Sequence, residues 1–188
     1  MAESFGVPVV GIGDELPNYA GDTLSGKVEM HDWIDEGQTF QPGEEIFSVI
    51  LTFPSLKNPV VLSELAWLGS PETQRELAGR KMRVLCVVSA SKLDLKSFMG
   101  DCATLVEVEG WNLDSKVPLL IDDAGDFQRM LGCVRPGAAD GLRGRVPSSL
   151  TLVVCPKHEV IFRSEYPITT GRNFVEMFRM LDSVRSCA

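Results

Sequence analysis

The sequence predicts a single α/β domain in which strands and helices alternate along the chain. Residues 46–53 and 84–88 are apolar runs rich in β-branched side chains, which is typical of strands buried on both faces of a sheet. With 188 residues and 44% apolar side chains, the chain has the size and composition of one domain with a full core. We therefore expect residues 1–188 to fold as one unit around a central sheet.

The remaining elements are predicted from the same patterns. Three further apolar runs indicate strands, at 117–121, 150–154 and 160–162. Three segments indicate helices, at about 61–80, 93–105 and 127–131. The last two strands should pair across a turn near Pro156. The final segment has an apolar face and a charged face at helical spacing, which predicts an amphipathic helix docked on the sheet. Its apolar positions are Phe174, Met177, Phe178, Leu181 and Val184.

Composition and charge exclude several classes of function. The net charge is −8 and the isoelectric point is near 4.8, whereas a nucleic-acid partner requires a concentrated basic face. No run approaches the roughly 20 apolar residues of a membrane span, and Glu3 stands where a signal peptide would carry a basic residue. We expect a soluble, intracellular and cytoplasmic protein without a nucleic-acid partner or a membrane span.

Cysteine and histidine usage gives no sign of a cofactor. The five cysteines include no CxxC pair and are most simply reduced thiols rather than a secreted disulfide framework. With two histidines, His31 and His158, and no cysteine pair at ligand spacing, the sequence predicts no metal site. Residues 11–13 lack the third glycine and the following helix of a dinucleotide fingerprint. No cofactor is therefore expected.

Six segments match a known family in order and spacing. They are 12–19, 30–33, 53–65, 117–123, 130–132 and 166–174, and the last, Tyr-Pro-Ile-Thr-Thr-Gly-Arg-Asn-Phe, is the most specific. On these segments the chain resembles the peroxiredoxins of the AhpC/TSA type, in their one-cysteine, peroxiredoxin-6-like branch. The resemblance implies a thioredoxin-like fold with a central mixed β-sheet flanked by helices. It also implies that the usual C-terminal arm of that branch is lacking here.

The same resemblance implies that the family's peroxide site is vestigial. Peroxiredoxins carry Pro, three residues, Thr, two residues and the attacking Cys, whereas this chain has Pro54, Asn58 and Val61 at those positions. Valine cannot ionise, so it cannot replace the thiolate. The family's active-site Arg, counted back from the proline after its strand, corresponds to Ser149. Glu64 stands where the family has the Glu that pairs with this Arg.

Two interpretations of Glu64 remain open. A buried Glu64 without a cation would need other donors or a proton, because an unpaired buried carboxylate is unfavourable. The alternative is a simple surface carboxylate on a helix face. A lipase-like activity associated with the branch would use Ser, His and Asp, of which His31 and Asp140 persist while residues 43–47 contain no serine. His31 is therefore expected to be structural.

The other cysteines offer no clear replacement nucleophile. Cys86 lies in an apolar strand, and Cys102 lies beside Asp101, which should raise its pKa. Cys133 and Cys155 are expected to be partly buried at the ends of elements. Cys187, next to the last residue, is expected to be mobile and is the first thiol to test for disulfide exchange.

These observations favour a catalytically inactive peroxiredoxin-like protein that is a structural subunit of an intracellular assembly, cytoplasmic or within a cytoskeletal or organellar complex. Its expected partners are other proteins of that assembly, or a second copy in a homodimer. One alternative is a thiol peroxidase, antioxidant or redox sensor that uses a non-standard cysteine. Another is a ligand-binding module whose former active-site pocket, lined by Pro54, Val61 and Trp67, holds a small apolar molecule.

Overall fold

The computed structural model describes residues 9–39, 41, 43–105, 113, 116–135 and 146–186. The strands are β1 (Ala20–Asp22), β2 (Lys27–Glu29), β3 (Phe47–Phe53), β4 (Met82–Val88), β5 (Leu119–Ile121), β6 (Val134–Arg135), β7 (Val146–Val154) and β8 (Val160–Pro167). The helices are α1 (Met30–Asp35), α2 (Pro59–Leu68), α3 (Pro71–Gly79), α4 (Lys92–Leu105), α5 (Asp126–Met130) and α6 (Phe174–Ser186). The elements alternate as an α/β domain requires.

The central sheet is mixed, as the resemblance implies. Its strand order is β5, β4, β3, β7 and β8, and the short β6 pairs with the first residues of β7. Strands β3, β4 and β5 run parallel, whereas β7 is antiparallel to both β3 and β8. The predicted pairing of residues 150–154 with 160–162 is confirmed, and the β1–β2 hairpin forms a separate small sheet.

Helices cover both faces of the central sheet. Every residue of β3 is buried, because alternate side chains enter cores on opposite faces. One core contains Phe53 of β3 and is covered by α2, α3, α4 and α6. The other contains Ile50 and is covered by α1 and α5. The final helix follows its predicted pattern, since Met177 and Leu181 are buried while the charged face lies outside.

The helix predicted over residues 61–80 is two helices, α2 and α3. The break follows from the residues Gly69, Ser70 and Pro71. The Ser70 side chain caps α3 by accepting a hydrogen bond from the Thr73 N–H at 3.2 Å, and Pro71 occupies the first helical position, where a missing N–H is harmless. A serine cap followed by proline is therefore a start signal that the sequence-based prediction missed.

The N-terminal part differs from its sequence-based prediction. Residues 12–19, which resemble an opening strand of the family, contribute only a single bridge between Glu15 and Glu159 within the described part of the chain. Neither the β1–β2 hairpin nor α1 was predicted, because each is only three to six residues long. Among the described residues, no helix combines the length and apolarity that crossing a bilayer would need.

Candidate functional site

The vestigial peroxide site predicted from the sequence lies where β3 ends and α2 begins. Asn58 is the N-cap of α2, and its Oδ1 accepts a hydrogen bond from the Val60 N–H at 3.0 Å. Its Nδ2 donates to the carbonyl of Ile168, which lies in the loop before α6. The start of α2 is therefore tied to a segment more than one hundred residues later in the chain.

Val61 lies in the first turn of α2 and belongs to the core. Its exposed fraction is 4%, and it packs in the same cluster as Phe53 and Leu65. A helix N-terminus stabilises a thiolate at such a position, but an isopropyl group carries no charge for it to stabilise. Val61 therefore contributes to the packing of the core at this position.

Glu64 is buried, so the interpretation as a surface carboxylate is wrong. The residue is 6% exposed and lies on the same helix, three residues after Val61. One carboxylate oxygen accepts a hydrogen bond from the backbone N–H of Arg172 at 2.7 Å. The other oxygen forms an ion pair with the guanidinium of Arg172. A cation therefore does meet Glu64, and it comes from the loop before α6.

Arg172 is held almost completely by protein acceptors. Its Nη1 donates to Glu64, its Nη2 donates to the carbonyls of Thr52 and Leu150, and its Nε donates to the Thr151 hydroxyl at 3.1 Å. Four of the five guanidinium N–H groups are thus used, one on Nε, one on Nη1 and two on Nη2. The side chain is 2% exposed, and the guanidinium carbon lies 4.5 Å from the centre of the Phe53 ring. This guanidinium joins α2 to the end of β3 and to the middle of β7.

Glu64 and Arg172 depend on each other electrostatically, because both are buried charged groups. Burial lowers the pKa of Arg172, and the neighbouring Glu64 carboxylate opposes that shift. An arginine remains protonated in a protein, so the carboxylate and the hydrogen-bond acceptors must compensate for the lost hydration. Removal of either partner would leave a buried charge without its counter-charge.

Ser149 is buried on β7, opposite Tyr166 of β8. A serine supplies no guanidinium, and Glu64 instead pairs with Arg172, a partner that the sequence analysis did not consider. The missed signal was in segment 166–174, the most specific part of the resemblance, where an arginine follows a glycine just before α6. Only the fold shows that this arginine reaches Glu64.

The described cysteines of the core are poor nucleophiles. Cys86, Cys102 and Cys133 are 0% exposed, so the expectation of a partly buried Cys133 is wrong. Burial raises the pKa of the Cys102 thiol to about 11, and Asp101 adds to the rise. Burial also raises the pKa of Cys133 to about 11, against the opposing effects of the Thr52 hydroxyl and Arg163, and it raises the pKa of Cys86 further.

Two further thiols complete the set. Cys155 is half-buried at the end of β7, as expected. Cys187 lies outside the described residues, so its predicted mobility and reactivity stay predictions.

His31 makes local structural contacts, as predicted. Its Nε2 lies 2.6 Å from the Leu16 carbonyl, and its ring stacks on that of His158 with centroids 4.0 Å apart. A carboxylate oxygen of Glu15 and one ring nitrogen of each histidine lie within 4.8 Å of one another, a cluster the sequence did not predict. Asp140, the other residue matched to a lipase-like site, lies outside the described residues.

Comparisons with known proteins agree with this architecture. No protein-family model matches the chain. The 1-Cys peroxiredoxin PER1 of Zea mays is 28% identical over 184 residues, covering 97% of this chain and 76% of the relative. Peroxiredoxin-6 of Mus musculus is 26% identical over 179 residues, covering 93% of this chain and 72% of the relative.

A solved structure shows the same fold. A mutant of the peroxiredoxin 6 of Arenicola marina superposes with a TM-score of 0.75 at 24% sequence identity, covering 94% of this chain and 74% of that chain. The shared mixed sheet between helical layers is the thioredoxin-like architecture that the sequence segments implied. The chain is therefore similar in sequence to the one-cysteine, peroxiredoxin-6-like peroxiredoxins over most of its length, and it has the fold of a solved peroxiredoxin.

Proposed function

We propose that this chain is a peroxiredoxin-like protein without thiol peroxidase activity, and that it is a structural subunit of an intracellular protein assembly. The observation that carries the proposal is that the first two turns of α2 hold a buried valine and a buried, paired carboxylate in place of an accessible thiol. Val61 fills the position of the family's cysteine, and it is 4% exposed. Arg172, which pairs with Glu64 on the same helix, is bound to protein acceptors and 2% exposed.

The chemistry of peroxide reduction explains why this composition matters. A thiolate attacks one peroxide oxygen, the O–O bond breaks, the sulfur becomes a sulfenic acid, and the other oxygen leaves as hydroxide, which takes up a proton to become water. The reaction requires a cysteine with a low pKa that the peroxide can reach. Cys86, Cys102 and Cys133 meet neither condition, because they are buried and their pKa values are raised.

Peroxide consumption tests the proposal directly. The purified full chain is mixed with hydrogen peroxide and excess thiol reductant, and the intact mass is followed for cysteine oxidation in parallel. We expect no turnover and no rapid gain of oxygen. Rapid turnover with one cysteine oxidised would contradict the proposal and identify the nucleophile.

A gain-of-function experiment tests the assignment of the vestigial site. The triple substitution Val61→Cys, Asn58→Thr and Ser149→Arg restores the residues that the family motif requires. We expect it to consume peroxide, because the introduced thiol lies at the N-terminus of α2. The matched control carries Val61→Ser with the same two other changes and should remain inactive. An inactive, folded triple variant would argue against the assignment.

Exposed apolar side chains support a role in contacting other proteins. Val9, Ile12 and Met130 are 50%, 68% and 41% exposed. Val9 and Met130 line a surface groove with a volume of about 760 Å³. Exposed apolar surface of this kind is common where proteins bind one another. On this proposal the partner that covers the groove is of one of two kinds. It is another protein of a cytoplasmic, cytoskeletal or organellar assembly, or it is a second copy of this chain.

The solution mass separates these two partners. Light scattering over a range of concentrations should give twice the chain mass for a homodimer, and Met130→Asp should then restore the monomer. A chain that stays monomeric, with unchanged mass in the variant, favours a different protein as partner. A large irregular aggregate that Met130→Asp does not disperse would argue against a specific interface.

The accessibility of Cys155 favours one alternative function, a redox sensor. Among the described cysteines it is the one that is not fully buried, and it lies beside Pro156 at the end of β7. If peroxide oxidises the chain, Cys155→Ser should abolish that oxidation. Persistent oxidation in Cys155→Ser would instead direct attention to Cys187.

A further inference from the structure

Three metal-ligating side chains converge from three separate segments of the chain. They are Glu15 near the N-terminus, His31 in α1 and His158 in the turn between β7 and β8. A carboxylate oxygen and one ring nitrogen of each histidine lie within 4.8 Å of one another. Backbone pairing holds the first and third segments together, since the Leu16 N–H donates to the His158 carbonyl at 2.8 Å and Glu15 bridges Glu159.

Hydrogen bonds orient both imidazoles in the same way. The Nε2 of His31 lies 2.6 Å from the Leu16 carbonyl, and the Nε2 of His158 lies 2.8 Å from Oδ1 of Asp35. Because a carbonyl and a carboxylate accept hydrogen bonds, Nε2 carries the hydrogen in each ring. In the neutral ring the lone pair then falls on Nδ1. Metal-binding histidines almost always have this arrangement, with the second nitrogen donating to a carbonyl or carboxylate.

The backbone at His158 is an independent observation. Its φ angle is 65°, in the left-handed region that residues with a Cβ seldom occupy and where glycine or asparagine is usual in a turn. Such conformations persist where the surrounding structure requires them, often at functional positions. Here the conformation holds the imidazole of His158 stacked on that of His31, with ring planes 21° apart. Because each Nδ1 lone pair lies in the plane of its ring, the rings must turn about their Cβ–Cγ bonds when both nitrogens bind one ion. Nε2 lies close to that axis, so such a turn moves it little.

We propose that Glu15, His31 and His158 form a binding site for one divalent transition-metal ion. The ligands are the Glu15 carboxylate and the Nδ1 atoms of the two histidines, with water completing the coordination shell. Two imidazoles and one carboxylate suit Zn²⁺, Co²⁺, Ni²⁺ or Cu²⁺ rather than Mg²⁺ or Ca²⁺. The bound ion joins the N-terminal segment, α1 and the β7–β8 turn. This site is separate from the peroxide position at Val61 and does not depend on the proposed loss of peroxidase activity.

Zinc binding to the full chain is the test, with Co²⁺ as a spectroscopic probe. Titration calorimetry should show one Zn²⁺ per chain. Replacement by Co²⁺ should give visible bands typical of nitrogen and oxygen ligands. His158→Asn removes one ligand while it preserves the turn, because asparagine tolerates a positive φ. We expect His158→Asn and Glu15→Gln to lose the site, and the matched control Glu72→Gln, an exposed residue of α3, to retain it.

Asp35→Asn provides a second variant in which all three ligands remain. The amide cannot accept the Nε2 hydrogen bond as strongly as a carboxylate, so the affinity for Zn²⁺ should fall about 10–100-fold. Thiol binding is controlled by repeating the titration with Cys155→Ser combined with Cys187→Ser. The proposal is overturned by a chain that does not bind Zn²⁺, by unchanged affinity in folded His158→Asn and Glu15→Gln, or by a thiolate charge-transfer band from bound Co²⁺.

Discussion

The ion pair between Glu64 and Arg172 provides the strongest test of how this fold is held together. Arg172→Met replaces the guanidinium with an apolar chain of similar length. It removes the side-chain hydrogen bonds that Arg172 donates to Glu64, Thr52 and Leu150, while the backbone N–H of residue 172 can still bond to Glu64. The carboxylate, 6% exposed, then lacks its counter-charge.

The expected loss of stability is large. Removal of one partner from a buried, hydrogen-bonded ion pair destabilises a protein by about 3–5 kcal/mol. A domain of this size is stable by about 5–15 kcal/mol in total, and its melting temperature falls about 2–4 °C for each kcal/mol lost. Arg172→Met should therefore lower the melting temperature by about 6–20 °C.

Urea unfolding measures the effect, monitored by far-ultraviolet circular dichroism and by tryptophan fluorescence. Coincident transitions and an unchanged m-value would show that the free energies of unfolding can be compared. The matched control is Arg179→Met, which breaks the exposed pair between Arg179 and Glu176 on α6. Exposed ion pairs contribute little, so the midpoint of this control should equal that of the parent.

A double substitution shows whether the two residues act as a pair. Glu64→Met combined with Arg172→Met removes both charges together, so it should be more stable than Arg172→Met alone. The reasoning is refuted if Arg172→Met unfolds at the same urea concentration as the Arg179→Met control. It is also refuted if the effects of the two single substitutions simply add in the double variant.

Three further predictions concern the same structure. Asn58→Ala removes the N-cap of α2 and should reduce the free energy of unfolding, measured with urea, by about 1 kcal/mol. Asn58→Asp keeps a capping oxygen, so its free energy of unfolding should fall by less. Leu181→Ala should reduce that free energy by about 2–5 kcal/mol, because Leu181 is 0% exposed in α6, and a change equal to that of the exposed Val175→Ala would contradict its place in the core. The buried thiols of Cys86, Cys102 and Cys133 should resist alkylation in the native chain and react after unfolding. Intact mass measures the labelling, and rapid labelling of the native chain would contradict their burial.

Local sequence patterns determined the main elements of the fold. The apolar runs at β3 and β4 predicted strands because a sheet buried on both faces admits few polar side chains. The spacing of Met177 and Leu181 predicted the buried face of α6, because the helical period places such residues on one side. Shorter elements such as α1, with six residues, carry too few positions to show a period. They form because tertiary packing stabilises them.

The motif positions were also readable in the chain. Pro54, Asn58 and Val61 follow the family spacing, so the sequence by itself placed them at the start of a helix after a strand. The resemblance matches Val61 to the family's cysteine position, and a valine side chain cannot ionise. The structure adds that Val61 packs within the core.

Contacts between distant residues were decided by the tertiary structure. Glu64 and Arg172 are 108 positions apart, and Asp35 and His158 are 123 positions apart. No local period relates such residues, because their distance depends on how the sheet orders its strands and where each loop returns. The sequence by itself therefore determined the resemblance to the peroxiredoxins, the main elements and the presence of a valine, rather than a cysteine, at position 61. Only the tertiary structure decided that Arg172 neutralises Glu64 and that Glu15, His31 and His158 converge, because both depend on chain segments brought together by folding.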